Sequence, residues 1–184
     1  MRNFILGITV TLLVIGLFVL AEATLGLVPT NADATPPQLE RRVAMSALDA
    51  SMERHAPRVS SPIPPTDENL IDGMKVYTMN CSMCHGTLDN RPSPLEKSFY
   101  PPAPQLVLDP LTDPEWHIYY AVRSGVRYTG MPAWNKTLSD QDTWKVTAFL
   151  ARIRTLSPGV GDYWKQSFGV SPPVAGSEKD VDKR

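Results

Sequence analysis

Cys81-Ser82-Met83-Cys84-His85 contains both cysteines of a 184-residue chain. The spacing C-x-x-C-H is that of c-type haem attachment, in which each thiol adds to a porphyrin vinyl group. The adjoining imidazole then lies beneath the iron as its proximal ligand. Other uses of paired cysteines fit less well. A thioredoxin-type pair belongs near alternating strands and helices, and the chain shows no such alternation. A structural zinc site needs four ligands, whereas the three histidines, His55, His85 and His117, are scattered. A disulfide across two residues would constrain little of the unfolded chain.

Haem attachment to this motif takes place outside the bacterial cytoplasm, so the chain needs an export element. Arg2 precedes an apolar run from Phe4 to Leu20, followed by Ala21-Glu22-Ala23. The small-x-small triplet resembles a signal-peptide cleavage site, but the apolar core exceeds the roughly 7–15 residues of a signal h-region. With Leu25, Leu27 and Val28 it approaches the ~20 residues that span a bilayer. Residues 1–28 are therefore expected to be a transmembrane anchor, with a cleaved signal peptide as the alternative. The basic start places the N-terminus inside and the rest in the periplasm. The expected location is the bacterial inner membrane, in a single pass.

Eighteen basic residues against nineteen acidic give a net charge of −1. A nucleic-acid binder would show a basic stripe, so that partner class is excluded. Residues 29–65 read as a linker. Within it Leu39 to His55 repeats apolar residues at helical spacing (Leu39, Val43, Ala47, Ala50). This is a juxtamembrane helix that packs on the globular domain or on lipid headgroups, or docks a partner subunit. Pro57 to Pro65 is an extended spacer. Residues 66–160 form the domain, and 161–184 read as a flexible tail.

The domain pattern is helical. Thr66 or Asp67 caps a helix running to about Asn80 and leading straight into Cys81. A second helix starts at Asp113-Pro114 and stops at Gly125. A third starts at Ser139, with Asp142 in a variant capping box, and runs to about Arg154. Thr87 to Pro110 is a long proline-rich loop, of the kind that wraps something.

A six-coordinate iron needs a second axial ligand. Met1, Met45 and Met52 lie before the domain, Met74 and Met79 on the first helix, and Met83 between the cysteines. Met131 lies in Tyr128-Thr129-Gly130-Met131-Pro132-Ala133-Trp134, between two helices, where Gly130 permits close approach and Pro132 stiffens the loop. His85 and Met131 are the expected iron ligands, and Cys81 and Cys84 the expected thioether attachments of one haem c.

A helix leading to C-x-x-C-H-G, a proline-rich loop, G-M-P-A-W and a capped final helix resemble a class I cytochrome c of the membrane-anchored bacterial type. The resemblance covers about Asp67 to Leu156. It implies an all-α fold of three to four helices around one covalent haem, preceded by the transmembrane helix. It also implies that Gly73 and Tyr77 of the first helix lie where Phe149 and Leu150 of the last helix cross closely. It assigns Pro104 and Leu106 to the family's P-x-L, where the proline carbonyl takes the hydrogen bond from the histidine Nδ1 and the leucine covers the ring. The loop from Gly86 to Pro104 is longer than the family's. Arg123, Arg127, Trp116 and Trp134 are candidates for the haem propionates, each with a plain structural alternative.

A His/Met iron has no open position, which suits outer-sphere electron transfer and argues against an enzyme with a small-molecule substrate. The expected role is a tethered one-electron carrier serving unidentified redox partner proteins. The alternative is a cytochrome subunit held permanently in an oxidoreductase complex.

Overall fold

The computed structural model describes residues 1–27 and 29–173, so Val28 and residues 174–184 of the expected anchor and tail lie outside the described residues. Two compact units are present, Met1–Thr35 and Pro36 onward. The first is a single helix, α1 (Arg2–Thr24), without a buried residue. At 1.5 Å per residue its 23 residues reach about 34 Å, enough with its composition to cross a bilayer.

The second unit is all-helical. It contains α2 (Gln38–His55), α3 (Asp67–Asn80), α4 (Ser82–His85), α5 (Glu115–Ser124), α6 (Asp140–Arg152) and α7 (Pro158–Phe168). No strand occurs among the described residues; Thr87 and Arg91 form one isolated bridge.

Capping chemistry explains where these helices begin. Thr66 accepts a hydrogen bond from the Asn69 backbone N–H, and Ser139 accepts one from Asp142. The Ser139 hydroxyl in turn donates to the Asp142 carboxylate at 2.7 Å. The α5 helix starts one residue later than expected, with Pro114 in the cap position. Its end at Gly125 is forced: φ is +67°, and a Cβ there would lie 2.7–2.8 Å from the backbone of Met131, Pro132 and Ala133.

The core forms where α3 crosses α6. A Cβ on Gly73 would sit 2.1 Å from the Lys145 carbonyl oxygen and 3.0 Å from Phe149 Cβ. Only glycine lets the two backbones approach this closely. The contact brings the Tyr77 and Phe149 rings to 5.9 Å, within the range of a favourable tilted pair. Leu70, Met74, Val146 and Leu150 fill the rest of the seam. At its rim Asp72 bridges Lys145 at 2.7 Å and Lys75 at 3.0 Å.

One expectation is corrected. Residues 161–168 are not part of a flexible tail. They continue α7, whose start is capped by Ser157 and fixed by Pro158 in the first turn. Val160 and Trp164 are fully buried by this helix, and the Trp164 ring lies 6.0 Å from Phe149. The Ser157 hydroxyl donates to Asp67 at 2.7 Å, tying the start of α7 to the start of α3. Burial of a tryptophan offsets the cost of ordering this segment.

The crossing and its rim can each be probed by one substitution. Gly73→Ala pushes α6 outward and lowers stability by about 2 kcal/mol or more, the usual cost of overpacking, measurable by guanidinium unfolding. The ammoniums of Lys145 and Lys75 hold the Asp72 carboxyl below the usual carboxylate range. A depressed folded pKa gives stability that is present above the unfolded value, near 3.8, and lost as pH falls through the folded one. The melting-temperature gap between wild type and Asp72→Asn should therefore close as pH is lowered from 6 towards 3.

Candidate haem site

Helix α3 delivers the attachment motif without interruption. The Cys81 N–H donates to the Tyr77 carbonyl at 2.8 Å, and the N–H groups of Cys84 and His85 donate to Cys81 at 3.1 and 3.0 Å. Residues three and four apart on a helical path share a face, so Cys81, Cys84 and His85 are presented together. Tyr77 secures the exit: its hydroxyl lies 2.9 Å from the His85 carbonyl and 2.7 Å from that of Gly86. Gly86, at φ +90°, then turns the chain away from the helix.

Both cysteines are free thiols. Burial, and then the neighbouring Cys84, push the Cys81 thiol up to about 12. That is the reverse of the depressed pKa of a disulfide oxidoreductase. For His85, burial disfavours the cation more than the Pro104 carbonyl restores it, so its pKa is lowered. The His85 Nδ1–H donates to that carbonyl at 2.8 Å. A neutral ring with Nδ1 committed as donor leaves Nε2 as the lone-pair nitrogen, as a metal ligand requires.

The long loop closes around the motif through side chains that pattern reading had not singled out. Gln105 accepts from the Ser93 N–H at 2.7 Å and donates to the Cys84 and Ala103 carbonyls at 3.2 and 3.0 Å. Ser93 donates to the Met83 carbonyl and accepts from the Leu95 N–H. The next residue after Gln105 returns to the motif, the Leu106 N–H donating to the His85 carbonyl at 3.0 Å. Leu106 is buried in the core, beside Val107 and Leu88. Nothing local in the sequence marks Gln105, because its partners lie up to 21 positions away.

Met131 is held by a closed turn. The Val126 N–H donates to the Met131 carbonyl at 3.2 Å, while the Thr129 hydroxyl donates to Val126 and accepts from the Met131 N–H at 3.0 Å. Gly130 lies flat on the Phe99 ring, which a Cβ would meet at 2.3 Å. The Met131 side chain is half-buried and packs against the core cluster, as does Trp134. The Trp134 Nε1–H is enclosed, yet has no hydrogen-bond partner among the described residues. A buried donor without an acceptor is costly and calls for one.

The other candidates are engaged elsewhere. His55 is exposed, with Nδ1 2.9 Å from the Ser51 carbonyl. His117 is flanked by Glu53 and Asp113 at 3.3 and 3.7 Å. Trp116 lies beneath the Arg58 guanidinium at 5.2 Å. The Arg123 Nε is 3.9 Å from Asp140, and Arg127 is exposed with its guanidinium 5.8 Å from the Tyr128 ring.

Two free thiols beside a neutral, oriented imidazole, a rigidly presented thioether and an enclosed indole donor fit a haem. Such a donor set defines an all-helical haem-binding domain. Residues 68–150, just under half of the chain, match the family model described as cytochrome C oxidase, cbb3-type, subunit III. The match and the all-helical fold agree with a cytochrome c domain over these residues. No curated protein matches the sequence. Among solved structures, a chain of the Kuenenia stuttgartiensis reducing HAO-like protein complex Kustc0457/Kustc0458 matches at 21% identity with a TM-score of 0.40. That match covers 62% of this chain and 60% of that one, less than two thirds of its length.

The Gln105 contacts generate a prediction. Gln105→Leu leaves the Ser93 N–H and the Cys84 carbonyl without these partners, and should cost about 1–3 kcal/mol in equilibrium unfolding. Trypsin should then cut the 87–105 loop after Lys97, faster than in wild type.

Proposed function

We propose that the protein is a one-electron carrier with a single covalently attached haem c, tethered by α1 to the periplasmic face of the bacterial inner membrane. What supports this reading is a His85 anchored through Nδ1 directly after two cysteines, together with a Met131 turn that packs against the core. Bound there, a haem supplies a one-electron iron couple. Cys81 and Cys84 would carry its two thioether links, the S–H of each adding across a vinyl group without loss of any atom. His85 Nε2 and the Met131 thioether would take the two axial positions.

The remaining residues tune the site. The Pro104 carbonyl fixes the histidine tautomer and raises its basicity. As a ligand, the Met131 sulfur would favour the reduced iron and raise the potential relative to two histidines. Leu106 would lie over the ring on the histidine side. Trp134 Nε1–H is the buried donor assigned to a propionate, and Arg127, exposed beside the same turn, is the weaker second candidate. With His85 and Met131 both holding the iron, the haem would serve electron transfer and not binding of a small-molecule substrate. Redox partner proteins are the electron donor and acceptor, and α1 would confine their encounters to the membrane surface.

A second reading has its own support. Leu39 and Val43 of α2 are 74% and 60% exposed, an apolar pair on the surface. The matched family's description names an oxidase subunit. Both suit a cytochrome held permanently in an oxidoreductase complex. Size measurement after mild-detergent solubilisation separates a free carrier from a complex subunit.

The axial assignment is tested on the purified, haem-loaded protein. Wild type should show a c-type spectrum with a sulfur-to-iron charge-transfer band when oxidised. Met131→Ala should abolish that band and lower the midpoint potential by on the order of a tenth of a volt or more, within the ~0.8 V that axial ligands span. His85→Ala should prevent stable holoprotein, and Cys81→Ala should leave one thioether. An unchanged spectrum and potential in Met131→Ala would sink the assignment.

A further inference from the structure

Helix α2 is engaged with the haem-binding domain along one side. Leu48 and Met52, one turn apart, are half-buried, and Ala56 just past the helix is buried. Glu53 Oε2 lies 3.3 Å from His117 Nε2, and Arg58 covers the Trp116 ring at 5.2 Å. At the start of the helix, Glu40 stands beside the Tyr100 hydroxyl.

The side opposite Leu48 and Met52 carries a second seam. Leu39, Val43, Ser46 and Ala50 recur at steps of four, three and four, and all are exposed, Leu39 to 74% and Val43 to 60%. Apolar and small residues at this spacing are what two helices use to pack along a common line. Charges border the seam. Glu40 and Arg54 lie on one flank, Arg42 and Asp49 on the other, and all four are exposed. Arg42, Asp49 and Arg54 take no part in the ion pairs that Glu53 makes with Arg58 and His117.

We propose that this seam is a contact between two copies of the chain, whose α2 helices pack side by side and antiparallel. The order of the charges selects the direction. A two-fold axis that reverses the helices brings each flank against the same flank of the other copy. Glu40 then meets Arg54 of the second copy, Arg42 meets Asp49, and symmetry doubles both pairs. The same register sets Leu39 against Ala50 and Val43 against Ser46, so a large side chain meets a small one in each layer. A parallel pair would match only Asp49 with Arg54 and would set Arg42 against Ala47.

Because the domain side of α2 is already engaged, the seam is presented ready-made, and pairing costs little ordering. Its size is modest. One helix face about 27 Å long and 10 Å wide falls short of the roughly 800 Å² per partner buried in a stable soluble complex. The contact therefore suits copies confined to one membrane, where effective concentration is high; this point rests on α1 as the anchor. A second copy would cover Leu39 and Val43 without any foreign subunit.

The test is cross-linking of the full-length, haem-loaded protein in liposomes at high lipid excess, with wild type setting the background. Ser46→Cys places a thiol beside the two-fold axis, where a short bismaleimide should join two copies. Ala44→Cys, exposed but off the seam, should give on the order of tenfold less dimer, since only paired helices hold two thiols together. In the Ser46→Cys background, Arg42→Glu and Asp49→Arg should each lower the yield about threefold, as two exposed ion pairs become repulsive. The double variant should restore it.

Equal yields at positions 44 and 46, or a double variant no better than the single ones, overturns the proposal; the latter is the result a parallel pair would give. A Ser46 spin label reached by lipid-dissolved oxygen would mean that a lipid surface covers the seam. An unlinked label open to water would mean that the seam is kept for a different protein. Either result also overturns it. The haem spectrum and co-flotation with the liposomes are read on the same samples, so failure of the carrier or anchor reading shows separately.

Discussion

The absence of a side chain at Gly73 is the constraint on which the rest of the domain depends. With the Lys145 carbonyl 2.1 Å from where a Cβ would be, α3 and α6 cross at a backbone-to-backbone distance no other residue allows. The crossing fixes the direction in which α3 points, and the last turn of α3 is continuous with the attachment motif. It also buries the Tyr77 ring against Phe149, and that ring's hydroxyl then holds the carbonyls of His85 and Gly86. A packing contact thereby fixes the position of His85.

The Gly86–Pro110 loop and the Val126–Met131 turn supply what the crossing cannot. Each is irregular backbone, and irregular backbone keeps one conformation only when its polar groups are satisfied. In the loop the satisfaction comes from Gln105 and Ser93, and in the turn from Thr129. The two segments meet where Gly130 lies against Phe99. A proximal loop and a distal turn that brace each other suit an iron whose coordination should change little between oxidation states.

The sequence made legible those features whose physics is local. Ser139 with Asp142, a helix cap at Thr66 or Asp67, and the break at Gly125 are contacts of three or four residues or single-residue conformational demands; the structure shows the first and third, and of the two caps takes Thr66. Helix α7 was missed although its signals are of the same kind: Ser157-Pro158 at the start and Val160, Trp164 and Phe168 spaced by four. Gly159 and Gly161 masked them, since glycines in a first turn read as a chain end. Gln105 and the Glu53–His117 contact were illegible for a different reason. Their partners are distant in sequence, and nothing in a lone glutamine or histidine says what it will face.

That distinction bears on where function can vary. The ligand frame relies on a steric fit at Gly73 and on backbone hydrogen bonds, neither of which responds to pH or salt near neutrality. The attachment of α2 relies on the contacts of Glu53 with His117 and of Arg58 with Trp116, charged contacts that salt weakens. The two attachments therefore differ in kind: one is steric and internal to the core, the other electrostatic and outside it. Because the α2 contacts lie outside the α3–α6 core, the position of His85 does not depend on them.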